Sequence, residues 1–218
     1  MIVAIARMPA SVDTVPRTAP ASANAPRTDA TIEDRILDAA LVQFEQVGVK
    51  KTTIEDIARK ADVDRVTVYR RIGSRDDVVR AVTGREIQRL LAELREIPSR
   101  HATFEDIVTA TFATVIMRWR SHALVERMVT LEPERLLPQL TTEGGTFFVI
   151  SVHATADILR DVVHEKNFRE LPDLVARVEV ACRVVHSLIL QPAGTIYLDS
   201  DEALADFARE YILPILTR

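Results

Sequence analysis

From about residue 31 onward, hydrophobic positions recur every three or four residues, and no strand-like alternation competes with them. Ile32, Ile36, Ala40, Phe44 and Val47 share one face of a first helix over about 31–47, which Gly48 ends. Ile54, Ile57, Ala58 and Ala61 follow the i, i+3, i+4, i+7 spacing of a short second helix, and a third must fit between Asp64 and Ile72. A fourth starts near Arg75 and runs to about Glu96, with Val79, Val82, Glu86/Ile87, Leu90 and Leu94 on its stripe and Pro98 closing it. Next comes a stripe of Phe104, Ile107, Val108, Phe112, Val115, Ile116 and Trp119. A broken region with Pro133, Pro138 and Gly144-Gly145 precedes a helix from Phe147 to about Glu165. Residues 174–190 are apolar on nearly every side, as a central or interfacial helix is. A last helix over about 201–216 presents Leu204, Phe207, Ala208, Tyr211, Ile212 and Ile215. The expected fold class is all-α.

Helix starts are marked independently of the stripes. Thr31/Asp34, Thr53/Asp56, Ser74/Asp77 and Thr103/Asp106 each set a hydroxyl three residues before an acid, just ahead of an apolar run. The hydroxyl accepts from a free backbone N–H and the acid sits at the positive helix end. Residues 1–30 differ in kind: they are rich in Ala, Pro, Ser and Thr without helical period. A disordered N-terminal arm is expected there, and Arg17 and Arg27 could touch DNA if the arm reaches it.

Two short helices separated by Asp62-Val63-Asp64 have the spacing of a helix-turn-helix. Val63 would plug the angle between them, and Asp64 would cap a helix whose first turn offers Arg65, Val66 and Thr67 outward. In that motif the second helix enters the DNA major groove. Charge changes the picture in the same direction. Residues 65–75 hold four arginines and no acid in a chain of formal net charge −4. From Lys50 to Arg80 nine basic residues face six acidic ones, a net of +3; the remaining 19 basic and 26 acidic residues leave −7 elsewhere. A positive head on a negative body points that head toward phosphate.

Those residues carry a resemblance. Residues 36–82, "ILDAALVQFEQVGVKKTTIEDIARKADVDRVTVYRRIGSRDDVVRAV", resemble the N-terminal DNA-binding domain of TetR-family transcriptional regulators. Phe44, Gly48, Thr52-Thr53, Ile57-Ala58, Thr67, Tyr69 and Ser74-Arg75 stand in unbroken register with it. The resemblance implies that Thr53 bonds a phosphate, although capping alone would explain it. It implies that Thr67 and Tyr69 meet the sugar-phosphate backbone, and that Arg65, Val66 and Arg70 reach base edges or nearby phosphates. Arg71 is a further phosphate candidate, and Arg75 would clamp a phosphate at the start of the fourth helix. Arg65 is the expected base reader, because a first-turn arginine opposes the helix dipole. Two departures stand out: Asp62 where the turn usually has glycine, and Ile72 in place of a frequent aromatic.

The resemblance also implies an organisation: an arm over 1–30, the helix-turn-helix domain over 31–80, and a helical effector-binding and dimerisation domain over 81–218. The partners implied are double-stranded palindromic DNA, a second copy of the chain through the last two helices, and a small-molecule effector. Phe112, Ile116, Trp119, Phe147 and Phe148, with His153 as a polar handle, are the residues expected to line its pocket, although plain core is the competing reading of each. A repressor is the expected role; an activator, or a protein that compacts DNA without sequence preference, are the alternatives.

Chemistry of other kinds finds little support. The five histidines show no H-x-x-x-H or H-E-x-x-H spacing, and one cysteine cannot build a thiolate zinc site. "EGGTFF" has no preceding strand and no following G-K-[ST], and G-x-S-x-G is absent. No catalytic residue, metal or cofactor is expected. Cys182 lies in an apolar run and reads as a buried, inert thiol. One cysteine fits a reducing compartment, and no apolar stretch approaches 18 residues. Together these point to a cytoplasmic protein without a membrane span.

Overall fold

The computed structural model describes residues 31–218. The expected disordered arm, with Arg17 and Arg27, lies outside the described residues. The described chain forms one compact unit and its elements are all helical. They are α1 (Ile32–Val47), α2 (Ile54–Ala61), α3 (Arg65–Arg71), α4 (Arg75–Arg100), α5 (Phe104–Ser121), α6 (Ala123–Leu131), α7 (Pro133–Leu140), α8 (Gly145–Glu165), α9 (Leu174–Leu190), α10 (Asp201–Phe207) and α11 (Leu213–Thr217). A π turn, Ala208–Ile212, joins the last two.

The capping pairs do what their spacing predicts. Thr31, Thr53 and Ser74 each close a capping box with the aspartate three residues on, and Thr103 accepts from the Asp106 backbone N–H at 3.0 Å. Local chemistry thus decides where α1, α2, α4 and α5 begin.

Two hydrophobic clusters hold the described unit together. One gathers Ile36, Ala40 and Phe44 of α1, Ile54, Ile57 and Ala58 of α2, Val68 of α3 and Val78 and Val82 of α4; Leu124 of α6 completes it. The other joins Leu91, Leu94 and Ile97 of α4 to α5, α8, α9, α10 and α11. Helix α4 belongs to both, and the boundary drawn at 80/81 falls inside it. Its 26 residues span about 39 Å at 1.5 Å per residue, a length that carries one rigid element from the helix-turn-helix into the helical body.

Several boundaries differ from the sequence expectation. The ends of the first stripe, Ile32 and Val47, are exposed, and Ala39 is buried instead, because a straight 3.6-residue helix drifts off any single line of side chains. Helix α4 continues through Pro98 to Arg100; a proline in the last turn disturbs only the few bonds that remain there. The "broken region" contains two short helices, α6 and α7, with Pro133 at the first position of α7, where a missing N–H loses no bond. The last expected helix is interrupted by the π turn just ahead of Pro214, where the Leu213 N–H reaches back to Ala208 O. Pro214 has no N–H for the carbonyl four residues back, and a widened turn accommodates this.

Candidate nucleic-acid interface and cavity

Helix α3 is seven residues long and buries only Val68. Asp64 starts it, accepting the Thr67 backbone N–H at 2.6 Å. That N–H, with the Thr67 hydroxyl, holds the Asp64 carboxyl below the ordinary carboxylate value. The α2–α3 turn passes through Asp62 in the left-handed region, φ 54° and ψ 52°, which aspartate tolerates better than most residues. Val63 packs into the core at the angle between the helices. Arg35 of α1 closes the turn from below, donating to Ala61 O at 2.6 Å and Asp62 O at 3.2 Å. Ile72 also packs on this cluster, so the aliphatic replacement still fills its place.

With Val68 turned inward, the opposite face of α3 must look outward. Val66 is 66% and Tyr69 54% exposed, far more than such side chains need for packing. Arg65 and Arg70 are exposed, and neither has a hydrogen-bond or ion-pair partner among the described residues. Thr67 is half-buried. Arg71 is exposed but paired with Glu33 of α1 at 3.1 Å. Thr53 is exposed at the start of α2, and its hydroxyl already donates to Asp56 at 2.6 Å while accepting the Asp56 N–H. The capping explanation of Thr53 is therefore present in the geometry.

Arg75 departs from expectation. It is half-buried, donates from Nε to Thr52 O at 2.9 Å and from Nη2 to Val49 O. A guanidinium has five donors in a fixed fork, and here two of its arms tie the α1–α2 connection to the start of α4. It faces this turn rather than an open phosphate position. The same connection is held from the far side by Glu132, 5% exposed, whose two carboxylate oxygens accept the Lys50 backbone N–H at 3.0 and 2.9 Å. Thr52 is buried and donates to Gly48 O at 2.7 Å. Sequence reasoning singled out neither Arg35 nor Glu132, whose partners are separated from them by 26 and 82 residues.

Behind this head lies a cavity of about 730 Å³, reached by side chains of α4 to α9, within the size range of small-molecule sites. Phe112, Trp119, Phe147 and Phe148 line it. Ile116 is buried in the core beside it, and His153 is exposed on α8; neither belongs to the lining, so these two positions are corrected. Periodicity assigns both to a helix but does not say which neighbour each side meets. His186 does reach the lining, stacked on Phe148 with ring centroids 5.7 Å apart. Burial, then the nearby Arg183, lowers its pKa, which favours the neutral ring. Burial pushes the Cys182 thiol up to about 11, which makes it unreactive.

Polar groups of the wall include a pair that sequence reasoning missed. Glu86 of α4 accepts from Arg89 at 2.7 Å and lies 3.2 Å from Nε2 of His122, at the α5–α6 junction. Both side chains are about 15% exposed. The signal was a carboxylate on an otherwise apolar stripe. Among the described residues no group of three His, Cys, Asp or Glu side chains could hold a metal, and no helix is long and apolar enough to cross a membrane.

Comparison with known proteins bears on the head first. Residues 36–82 match the family described as "Bacterial regulatory proteins, tetR family". No curated protein matches the chain. Among solved structures, the TetR family repressor AlkX of Dietzia sp. strain DQ12-45-1b, implicated in biodegradation of n-alkanes, is similar with a TM-score of 0.61 and 18% identity, covering 84% of this chain and 93% of that one. The transcriptional repressor QsdR of R. erythropolis gives 0.59 and 20%, covering 86% and 96%. SmeT, repressor of the Stenotrophomonas maltophilia multidrug efflux pump SmeDEF, gives 0.54 and 19%, covering 88% and 92%. At such identities the likeness speaks for the fold, and function must be argued from the site. The match over residues 36–82, lying on a helix-turn-helix with an outward-facing α3, makes this segment similar to the DNA-binding part of the tetR family of bacterial regulatory proteins, and the solved structures share the fold of the described chain.

Proposed function

We propose that the protein is a sequence-specific transcriptional repressor that binds a palindromic operator as a homodimer and responds to a small molecule. The observation that carries this is the outward face of α3, where Arg65, Val66, Tyr69 and Arg70 stand exposed while Val68 alone is buried. Arg65 reads a base edge, guanine being its best bidentate partner. Tyr69, Thr67 and Thr53 position the protein on the backbone, and Arg70 and Arg71 supply phosphate charge, Arg71 by leaving Glu33. Arg75 acts indirectly, by holding the turn that presents α2 and α3. One α3 reads too few bases for specificity; two, about 34–36 Å apart, read a palindrome. The surface that pairs two copies is formed by α9 and the α10–α11 segment, which leave Val180 and Tyr211 about half exposed.

Phe112, Trp119, Phe147 and Phe148 form the aromatic part of the effector site. An effector acts by binding one arrangement of the two heads better than the other. The fold resemblance to proteins called repressors supports the sign of regulation. The test is fluorescence anisotropy on a duplex from upstream of the protein's own gene, backed by a selection from genomic fragments. Preference over a scrambled duplex of at least ~10³-fold near physiological salt is expected. Equal, salt-steep binding to every duplex would sink the proposal in favour of nonspecific compaction.

A further inference from the structure

We infer that the cavity is a channel along α4 for an elongated, mainly apolar molecule with an uncharged polar end, and that this end presses on the corner where α4 and α6 meet the DNA-binding head. This rests on the ligand-responsive reading above and adds the ligand's class and the place where it acts. Length is the first observation. The lining on α4 runs from Val79 to Leu94, 15 residues or about 22 Å, and on α8 from Phe147 to Leu159, 12 residues or about 18 Å. The Phe147 ring lies 4.0 Å from where a Cβ of Gly84 would stand, so both runs begin on the same side. A volume of about 730 Å³ over about 20 Å leaves a mean cross-section of about 36 Å², which suits a chain or a single ring better than a broad fused-ring body.

The two ends of the channel differ in chemistry. One is closed by buried Leu94, Val108, Leu159, Val178, Ile212 and Leu216, which offer a ligand only apolar surface. The other carries Thr83, Glu86, Trp119 and His122, all partly exposed. Helices α4 and α5, joined by only three residues, run antiparallel, and the 3.2 Å contact of Glu86 with His122 puts these groups at one level. Charged side chains toward this end already have partners: Arg80 with Asp77, Arg118 with Glu93 at 3.1 Å, Glu86 with Arg89 at 2.7 Å and Glu134 with Lys50 at 3.9 Å. Glu143 is engaged as well. A ligand charge of either sign would be buried without a match, which is costly; an uncharged polar end needs none. Val79 and Met128 line this end and also pack against the cluster of the head, in which Leu124 of α6 is buried. Arg127 of α6 donates to Gln46 O of α1 at 2.8 Å. A molecule that fills only the closed end leaves these contacts alone. One long enough to reach the corner pushes on side chains shared with the head, so length separates occupancy from effect.

The test titrates the full chain with primary alcohols from hexanol to dodecanol, and with dodecanoate, by calorimetry. Trp119, the chain's single tryptophan, lines the cavity, so its fluorescence ties the binding to this site. Affinity is expected to rise about fourfold per added methylene throughout the series, and dodecanol to bind at least about tenfold more tightly than dodecanoate. At equal occupancy, dodecanol should weaken operator binding and hexanol should not. Ala181→Leu, which narrows the channel toward its closed end, should end the rise at a shorter alcohol; the wild-type series decides the matter if that variant folds poorly. A rise that stops near hexanol in the wild type, or tighter binding of dodecanoate, overturns the ligand class, as does no binding by any alcohol. Each of these leaves the DNA-binding reading, which rests on α3, standing. Equal effects of hexanol and dodecanol on operator affinity overturn the role of the corner. The expected series with no change in operator affinity upholds the ligand class and removes the ligand-responsive reading.

Discussion

Removing the Glu132 carboxylate should loosen the head from the helical body. In the folded chain its two oxygens share the Lys50 backbone N–H at 3.0 and 2.9 Å, and the side chain is 5% exposed. Glu132→Ala leaves that N–H without this acceptor, which costs about 1.5–3 kcal/mol for a charge-assisted bond. Glu132→Gln keeps one oxygen and should lose about half as much. Gly48 supplies an internal check. Its φ of 97° suits glycine, and an added Cβ would collide with Glu132 Oε1. Gly48→Ala therefore combines about 1–3 kcal/mol of backbone strain with a steric term that exists only while Glu132 is present. The double variant should fall short of the sum by at least about 0.5 kcal/mol. Urea unfolding followed by circular dichroism, at one protein concentration and with unchanged slope, measures all four. Glu132→Ala within about 0.5 kcal/mol of wild type, or strict additivity, would refute the reasoning.

Other consequences can be checked alongside. Arg65→Ala should weaken operator binding by about 1–3 kcal/mol and relax preference at one base pair, whereas Arg70→Ala should weaken all duplexes alike and flatten the salt dependence; anisotropy with base-substituted operators separates the two. Val180→Glu should shift a dimer toward monomer in sedimentation velocity without loss of helical signal, since it places a charge on the exposed apolar face of α9; an unchanged dimer would exclude that face. The capping carboxyls Asp34, Asp56 and Asp77, through bonds from Thr31, Thr53 and Ser74, and Asp64, through Thr67, all lie below their ordinary value of 3.8 when folded. Their contribution is present above about pH 4 and is lost as pH falls through the folded values. Stability measured by urea titration should therefore drop as pH falls below about 4, and Asp77→Asn should lessen that drop.

Where two groups lie within a few residues, the sequence determined the outcome by itself. Thr31, Thr53 and Ser74 find their aspartates one turn away, whatever packs around them. The three residues between α2 and α3, with a left-handed Asp62, set the turn before any third helix is considered. Val68 pointing in then turns Val66 and Arg70, two residues to either side and so on the opposite face of the helix, outward. Those local rules carried the helix-turn-helix and most of its contact face. Only the tertiary structure decided the rest, since it depends on neighbours that spacing cannot bring together. Arg75 faces the Val49–Thr52 turn because that turn's carbonyls lack helical partners and lie within its reach. Glu132 caps Lys50 across 82 residues. Phe112 lines a cavity while Ile116, one turn on, meets solid core: a helical stripe reveals which residues avoid water, and the packing of other helices determines whether they meet a side chain or a space.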